Sequence, residues 1–461
     1  MMKNLIRLMA LVLSLTMVMA LFAACGKKDD GSGEETANVQ LDGSQKKWAS
    51  MFGEEYVTER AAYEKENSPY DVPEELKGTT VKFATWIDHT TTEASYALSN
   101  FEKVTGIKVE WVEIPQGTYL EKLASLVASG DAPDVYVENN NFFPKTLTIS
   151  KPLNEIKSID MEDPIWDKGY FNFSTFNGKT YQCNTRNSVW QTVNLLFYNK
   201  KVFEENGLKT PDDYIAEDNW TLDSLTEMLR EFCDLDGNNS GGAMPTSFLA
   251  KAFGTDIVYM KDGKFVSGLN DKNFNTVYSK TLEMIDDGLI GGSAAAFMKG
   301  TNAIYVTDSY GLKKSGYFKG SDPEIYGYAP IPTNADVDSK VSSHYRAYGV
   351  LSGAKNPEGA GYFLRYFLDP YNYNWNDIFL DESAMEFYLE NCADVDFEKK
   401  QFGFNTCMTD LMGYTDYEGI HKWENALNRA QVSQWQTVAS SITNEVNSAV
   451  EKANDILAKL Q

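Results

Sequence analysis

Hydrophobic and polar positions in the first third of the chain alternate between two periods. Thr79-Thr80-Val81-Lys82-Phe83-Ala84 has strand character and runs directly into Trp86-Ile87-Asp88-His89. A helical period follows from Ala94 to Val104, then a second strand signal from Ile107 to Ile114. Tyr119 to Ala128 again has helical spacing, closed by Ser129-Gly130, and Asp134-Val135-Tyr136-Val137 is the next buried strand. Strand, helix, strand, helix, strand at this spacing predicts right-handed crossovers and a parallel sheet covered on both faces. In such sheets, ligand-facing residues lie just past the carboxyl ends of the strands. That rule places Trp86, Asp88, Glu138, Asn139 and Asn140 at a candidate site, while Glu138-Asn139-Asn140 also suits a solvated turn. The middle of the chain repeats mixed α/β patterning, and Trp423 to Leu460 reads as helix throughout. Ahead of the first strand, Lys46 to Lys77 reads as a short, charged helical extension.

The amino-terminal end has another pattern. Lys3 and Arg7 form a positive head, Leu8 to Phe22 is an almost unbroken apolar run, and Ala23-Ala24 stand directly before Cys25. This is the layout of a secretory signal, and the run falls short of the roughly 20 residues of a comfortable membrane span. The junction resembles the bacterial lipobox, with Phe22 where leucine is usual; the other reading is an ordinary cleaved signal that contains a cysteine. The resemblance implies a signal peptide over 1–24 and acylation of Cys25, with palmitate among its lipids. A polar, Gly/Ser-rich tether over 25–45 follows, too poor in apolar residues to fold. Such a protein is held at the outer face of a cell membrane.

Composition narrows the function. The chain has 461 residues, 43% of them hydrophobic, enough for a large core in two lobes. A formal charge of −24 repels phosphate backbones and argues against nucleic acid as a partner. The three histidines, His89, His344 and His421, lack metal-type spacing, so no metal and no cofactor is expected. With Cys25 acylated, Cys183, Cys233, Cys392 and Cys407 are even in number outside the cytosol, which allows disulfides, Cys392 with Cys407 being the most local pair. Buried free thiols are the alternative. Asp234 to Ser240 looks like a calcium loop, but an EF-hand needs a glycine and a closing glutamate where this chain has Asn239 and Pro245, so it reads as a turn. No nucleophile elbow, zinc motif, phosphate loop or dinucleotide fingerprint occurs, and no catalytic residue is assigned.

Six blocks, in order, resemble the extracellular solute-binding proteins of sugar ABC transporters, the maltose and multiple-sugar binding class. The most recognisable runs from Gly117-Thr-Tyr119-Leu-Glu-Lys-Leu123 to Ala128-Ser-Gly-Asp131-Ala-Pro-Asp134-Val135, an amphipathic helix, a glycine stop and a turn feeding a buried strand. Gly178-Lys-Thr-Tyr181 with Leu196-Phe-Tyr-Asn199-Lys200 and Phe203 to Leu208, and Trp220-Thr221-Leu-Asp223, come next. Phe297-Met-Lys-Gly300, Gly327-Tyr-Ala-Pro330-Ile-Pro332 and Lys355-Asn-Pro357-Glu358 complete the series. The extension at Lys46 to Lys77 and the stretch from Tyr371 to Cys407 have no counterpart in the family pattern.

The resemblance implies an α/β, two-lobed periplasmic-binding-protein-like fold, each lobe a mainly parallel sheet flanked by helices, with a ligand cleft between them. Lobe 1 would comprise 77–183 and 341–381, and lobe 2 184–340 and 382–461, with 46–76 as a helical extension. It also implies cleft contributions from Trp190 in the first crossing segment, from Asp308 and Tyr310 after the Ala303-Ile304 strand, and from Trp435 on a late helix. For Trp190 and Trp435 a core position is the alternative. Arg346 lies where the family chain crosses back, either to clamp an anionic ligand or to make a structural ion pair. The implied protein is a monomer and not an enzyme; it captures a small solute, a sugar or oligosaccharide, and hands it to ABC permease subunits. A surface carbohydrate-active enzyme and a sensory or adhesion lipoprotein on the same fold are the competing classes.

Overall fold

The computed structural model describes residues 41–87, 94–139, 142–235, 240–343, 346–393, 395, 399–402, 422–428, 430 and 433–460. It opens with α1 (Gly43–Phe52) and α2 (Glu54–Asn67). Asp42 caps α1 reciprocally: its carboxylate accepts from the Gln45 N–H at 2.8 Å, and the Gln45 side chain accepts from the Asp42 N–H at 3.0 Å. Gly53, at φ 90°, makes the break between the two helices.

β1 (Thr80–Thr85), α3 (Ala94–Thr105), β2 (Lys108–Glu113), α4 (Tyr119–Ser129) and β3 (Val135–Asn139) then follow the alternation read from the sequence. β1 pairs in parallel with both β2 and β3. After β4 (Ser150–Lys151) the chain passes to a second sheet of β5 (Asn194–Asn199), β6 (Gly242–Ala243), β7 (Ile304–Asp308) and β8 (Tyr326–Ala329), in the order β8-β5-β7-β6. It returns as β9 (Arg346–Leu351), which inserts antiparallel between β3 and β4. The first sheet is therefore β2-β1-β3-β9-β4.

The second sheet is mixed where a mainly parallel one was expected: β5 is antiparallel to β7 and β8, and only β6 and β7 run in parallel. The reason is direction of travel. β5 carries the chain in from the crossing and runs outward, whereas β7 runs back, so that Asp308 pairs with Asn194 at the crossing end.

α5 (Pro357–Leu368) covers the first sheet, where Phe363 and Phe367 pack 5.2 and 5.4 Å from Phe83. The carboxyl-terminal segment is not one helix: a short helix over Lys422–Asn428 precedes α6 (Trp435–Leu460). Asn454 fixes α6 to the hairpin of strands 258–261 and 264–267, accepting from the Phe265 N–H and donating to its carbonyl at 2.9 and 3.0 Å.

The extension is welded to the first-sheet half by buried charge. Arg60, 3% exposed, donates twice to Asp369, at 2.7 and 2.6 Å, and Arg365 donates to Asp163 at 2.6 Å and Glu64 at 3.1 Å. The Tyr70 hydroxyl donates to Asp369 at 3.1 Å, and Phe52 packs edge-on to Trp375 at 5.1 Å.

Two strand bridges hold the passages between the sheets together: Cys183 pairs with Tyr348, and Val193 with Ser343. A third passage follows α5, where Phe379 bridges to Lys313 beside β7. Cys183, Cys233 and Cys392 are free thiols; burial pushes those of Cys183 and Cys392 far up, and Cys407 lies outside the described residues.

Candidate functional site

On the first-sheet side, Trp86 follows β1 and rests edge-on against Tyr119 at 4.9 Å and Phe142 at 5.8 Å. Its support is rigid, because the Tyr119 hydroxyl donates to the Ala84 carbonyl at 2.8 Å and accepts from the Val137 N–H at 3.0 Å. The indole is half-buried, one side against this cluster. Glu138 is 0% exposed. Its carboxylate accepts from the Thr146 hydroxyl and from Gln182 Nε2 at 2.9 Å, and Gln182 also reaches the Tyr136 hydroxyl at 3.0 Å. Gly349, paired with Tyr136 in register, leaves room for that ring: a Cβ there would stand 2.5 Å from it. Glu138 is thus a buried hydrogen-bonded carboxylate rather than an exposed turn residue. Asn139 ends β3 opposite Arg346, while Asp88 and Asn140 lie outside the described residues.

On the second-sheet side, Asp308 ends β7 and caps the short turn Ser309–Leu312, accepting from the Tyr310 N–H at 3.0 Å. Burial pushes its carboxyl up, against the pull of that N–H and of the Arg346 and Lys313 charges. Tyr310 is half-buried, donates to the Ser315 carbonyl at 2.8 Å and meets Tyr317 edge-on at 5.5 Å. The Tyr317 hydroxyl approaches Asp308 Oδ2 at 3.4 Å, and its ring is 45% exposed. Sequence reasoning missed Tyr317; its spacing after Tyr310 was the available signal.

Arg346 opens β9 at the return crossing, and its charge acts on Asp308 from the opposite sheet. Its Nε is buried with no hydrogen-bond partner among the described residues. So are Nδ2 of Asn187, Nε2 of Gln191 and Oδ1 of Asn194, all on the first crossing segment. Asn194 Nδ2 donates to Ser342 Oγ and Ser343 Oγ to the Thr192 carbonyl at 3.0 Å, which binds the two crossings side by side.

Two expected residues sit elsewhere. Trp190 is buried in the crossing, stacked on Phe367 at 5.5 Å and edge-on to Tyr373 at 5.6 Å, with Lys313 Nζ over its face at 5.7 Å. Trp435 is 2% exposed and packs against Tyr278 at 6.1 Å and Phe274 at 6.5 Å. Both occupy core positions because aromatic neighbours from distant segments close over them. Asp308 and Tyr310 thus stand together at the end of β7 with the charge of Arg346 within reach, and Trp86 stands at the end of β1. No group of His, Cys, Asp and Glu that could hold a metal occurs among the described residues.

Solved structures share this architecture. The cyclic α-maltosyl-1,6-maltose binding protein from Arthrobacter globiformis has a TM-score of 0.60 at 16% identity, over 83% of this chain and 99% of its own. The galacto-N-biose-/lacto-N-biose I-binding protein of the ABC transporter from Bifidobacterium longum has a TM-score of 0.58 at 15% identity, over 84% and 98%. The sugar-binding protein MalE from Xanthomonas citri has a TM-score of 0.54 at 17% identity, over 82% and 98%. Those likenesses establish the two-lobed fold. Residues 77–372, from just ahead of β1 to just beyond α5, match the family described as bacterial extracellular solute-binding protein, and it is to this family that the chain belongs.

Proposed function

We propose that this protein captures an oligosaccharide between its two sheets and delivers it to an ABC permease. The observation that carries the reading is Asp308 at the end of β7, with Tyr310 and Tyr317 beside its carboxylate and the charge of Arg346 from the other sheet within electrostatic reach. A carboxylate and a guanidinium suit the adjacent hydroxyls of a sugar, and aromatic rings suit its C–H face. The fold's sugar-binding relatives support the same class of solute. Trp86 and Tyr310 are the rings assigned to opposite sides of the sugar. Binding is the whole activity, so the solute leaves unchanged. Cys25 carries the lipid that holds the protein outside the cytoplasm, at the cell membrane.

A calorimetric and thermal-shift panel of oligosaccharides, peptides and phosphorylated metabolites tests this. One oligosaccharide binds once per chain and, at about a hundred times its Kd, adds about 2.7 kcal/mol of stability. A peptide or phosphorylated metabolite binding in its place, or release of a shortened sugar, overturns the reading. Palmitate labelling that survives Cys25→Ala overturns the anchor.

A further inference from the structure

A groove of about 760 Å³ lies between the amino-terminal extension and residues 366–389. Trp48 from α1, Tyr96 from α3, Tyr371, Asn374 and Asn376 from the loop after α5, and Glu386 from the helix Glu382–Tyr388 line it. Most of its wall comes from α1 and from residues 373–389, outside the stretch 77–372 that matches the family.

At its base stands a column of stacked groups. Arg60 Cζ lies 3.6 Å from the Tyr371 ring centre, and Trp48 lies 4.6 Å from it with the ring planes 6° apart. Two groups that close to one ring must take opposite faces. Phe52 also lies parallel to Trp48, at 5.4 Å, but is 6.0 Å from Tyr371, too near to sit on the far side of the indole. The ammonium of exposed Lys47 lies 5.9 Å from the indole, which is half-buried and lines the groove. Asp369 clamps the foot of the column through its paired bonds to Arg60, so the indole is pre-oriented. Tyr96 adds a ring that is 68% exposed, and the Tyr371 hydroxyl is buried without a hydrogen-bond partner among the described residues.

A held indole face, a projecting phenol, side-chain amides and a free carboxylate form the combination that binds carbohydrate. A net charge of −24 selects against acidic polymers. We propose that this groove is a second, surface site for a neutral glycan chain, separate from the site between the sheets. Glycan binding there is independent of the solute captured between the sheets.

Native electrophoresis of the detergent-solubilised full chain tests it, with soluble starch, barley β-glucan, glucomannan or xyloglucan cast into the gel. At least one polymer retards the wild type, and Trp48→Ala and Tyr96→Ala each reduce that retardation by tenfold or more in apparent affinity. The exposed Tyr96 ring keeps the test valid if Trp48→Ala unfolds. Asp308→Asn, altered between the sheets, is retarded like the wild type. Absence of retardation by all four polymers, retention in the Tyr96 variant, or loss in Asp308→Asn overturns the proposal.

Discussion

Asp308 concentrates the electrostatics of the candidate site in one side chain. Burial raises its carboxyl above the ordinary aspartate range, and the Tyr310 N–H, Arg346 and Lys313 only partly offset this. The ionised form is the one that accepts from sugar hydroxyls. Solute binding should therefore weaken on acidification at a pH above about 3.9, where an ordinary aspartate protonates. For the ligand-free fold the sign is opposite. A raised folded-state pKa means that the folded chain holds the proton more tightly than the unfolded one. Asp308's own contribution is thus greatest at low pH and falls as pH rises through the folded value. Asp308→Asn should flatten the acid limb of binding and, by removing a charge-assisted hydrogen bond of about 1.5–3 kcal/mol, weaken neutral-pH binding roughly tenfold to a hundredfold. Calorimetric titration across the acid range reads both; an unchanged acid limb would remove Asp308 from the site. At this scale the sequence reports strand ends and not side-chain direction. Glu138 had the right position, but Thr146 and Gln182, brought up by later segments, turn its carboxylate into the interior. Trp190 and Trp435 were covered by rings still more distant in sequence.

Among the elements, α2 is the one whose attachment depends most on charge. Burial alone would raise the Asp369 carboxyl, yet Arg60, Arg365 and the Tyr371 N–H hold it below the ordinary range. Asp369→Ala leaves Arg60 and Arg365 buried without that anion and should cost about 3–5 kcal/mol. Because the folded-state pKa is depressed, the stabilisation is fully present above about pH 3.9 and is lost as pH falls from there through the folded value. Asp163, raised by burial despite its bond to Arg365, acts in the opposite sense. Urea melts of the wild type and Asp369→Asn should therefore differ most at neutral pH and converge below about pH 4. A gap that persists in acid would mean that the anion is not what holds the helix. The alternation of β1 to β3 was legible because each element carries its own period and stop signal, as Gly130 does for α4 at φ 79°. The docking of α2 was not, since Arg60 and Asp369 stand 309 positions apart. Strand polarity in the second sheet was hidden for a similar reason: periodicity marks β5 as a strand but carries no direction relative to β7.

For the whole molecule, the order of the six sequence blocks was enough to identify two halves joined by crossings, because each block spans a turn with fixed chemistry. The crossings' mutual bonding was not visible in it. Val193 with Ser343, and Asn194 with Ser342, place two passages side by side, and such neighbouring connections favour a hinge about one axis. Saturating solute should shrink the radius of gyration in small-angle scattering, since contacts from both halves stabilise the closed state. Tight binding with no compaction would argue for a rigid receptor. The welded extension gives this motion a frame of reference. Leu41 packs against the hydrophobic cluster that includes Phe83, Phe363 and Phe367, and α2 is held to α5 and its following turn by the pairs of Arg60 with Asp369 and of Arg365 with Glu64. Any pull on the chain ahead of Leu41 thus enters the molecule through α1 and α2 and the ion pairs of α2 to α5. If Cys25 is acylated as proposed, the leash would enter through the extension, and a permease would meet jaws whose tether is fastened at α1 and α2 instead of at either rim of the cleft.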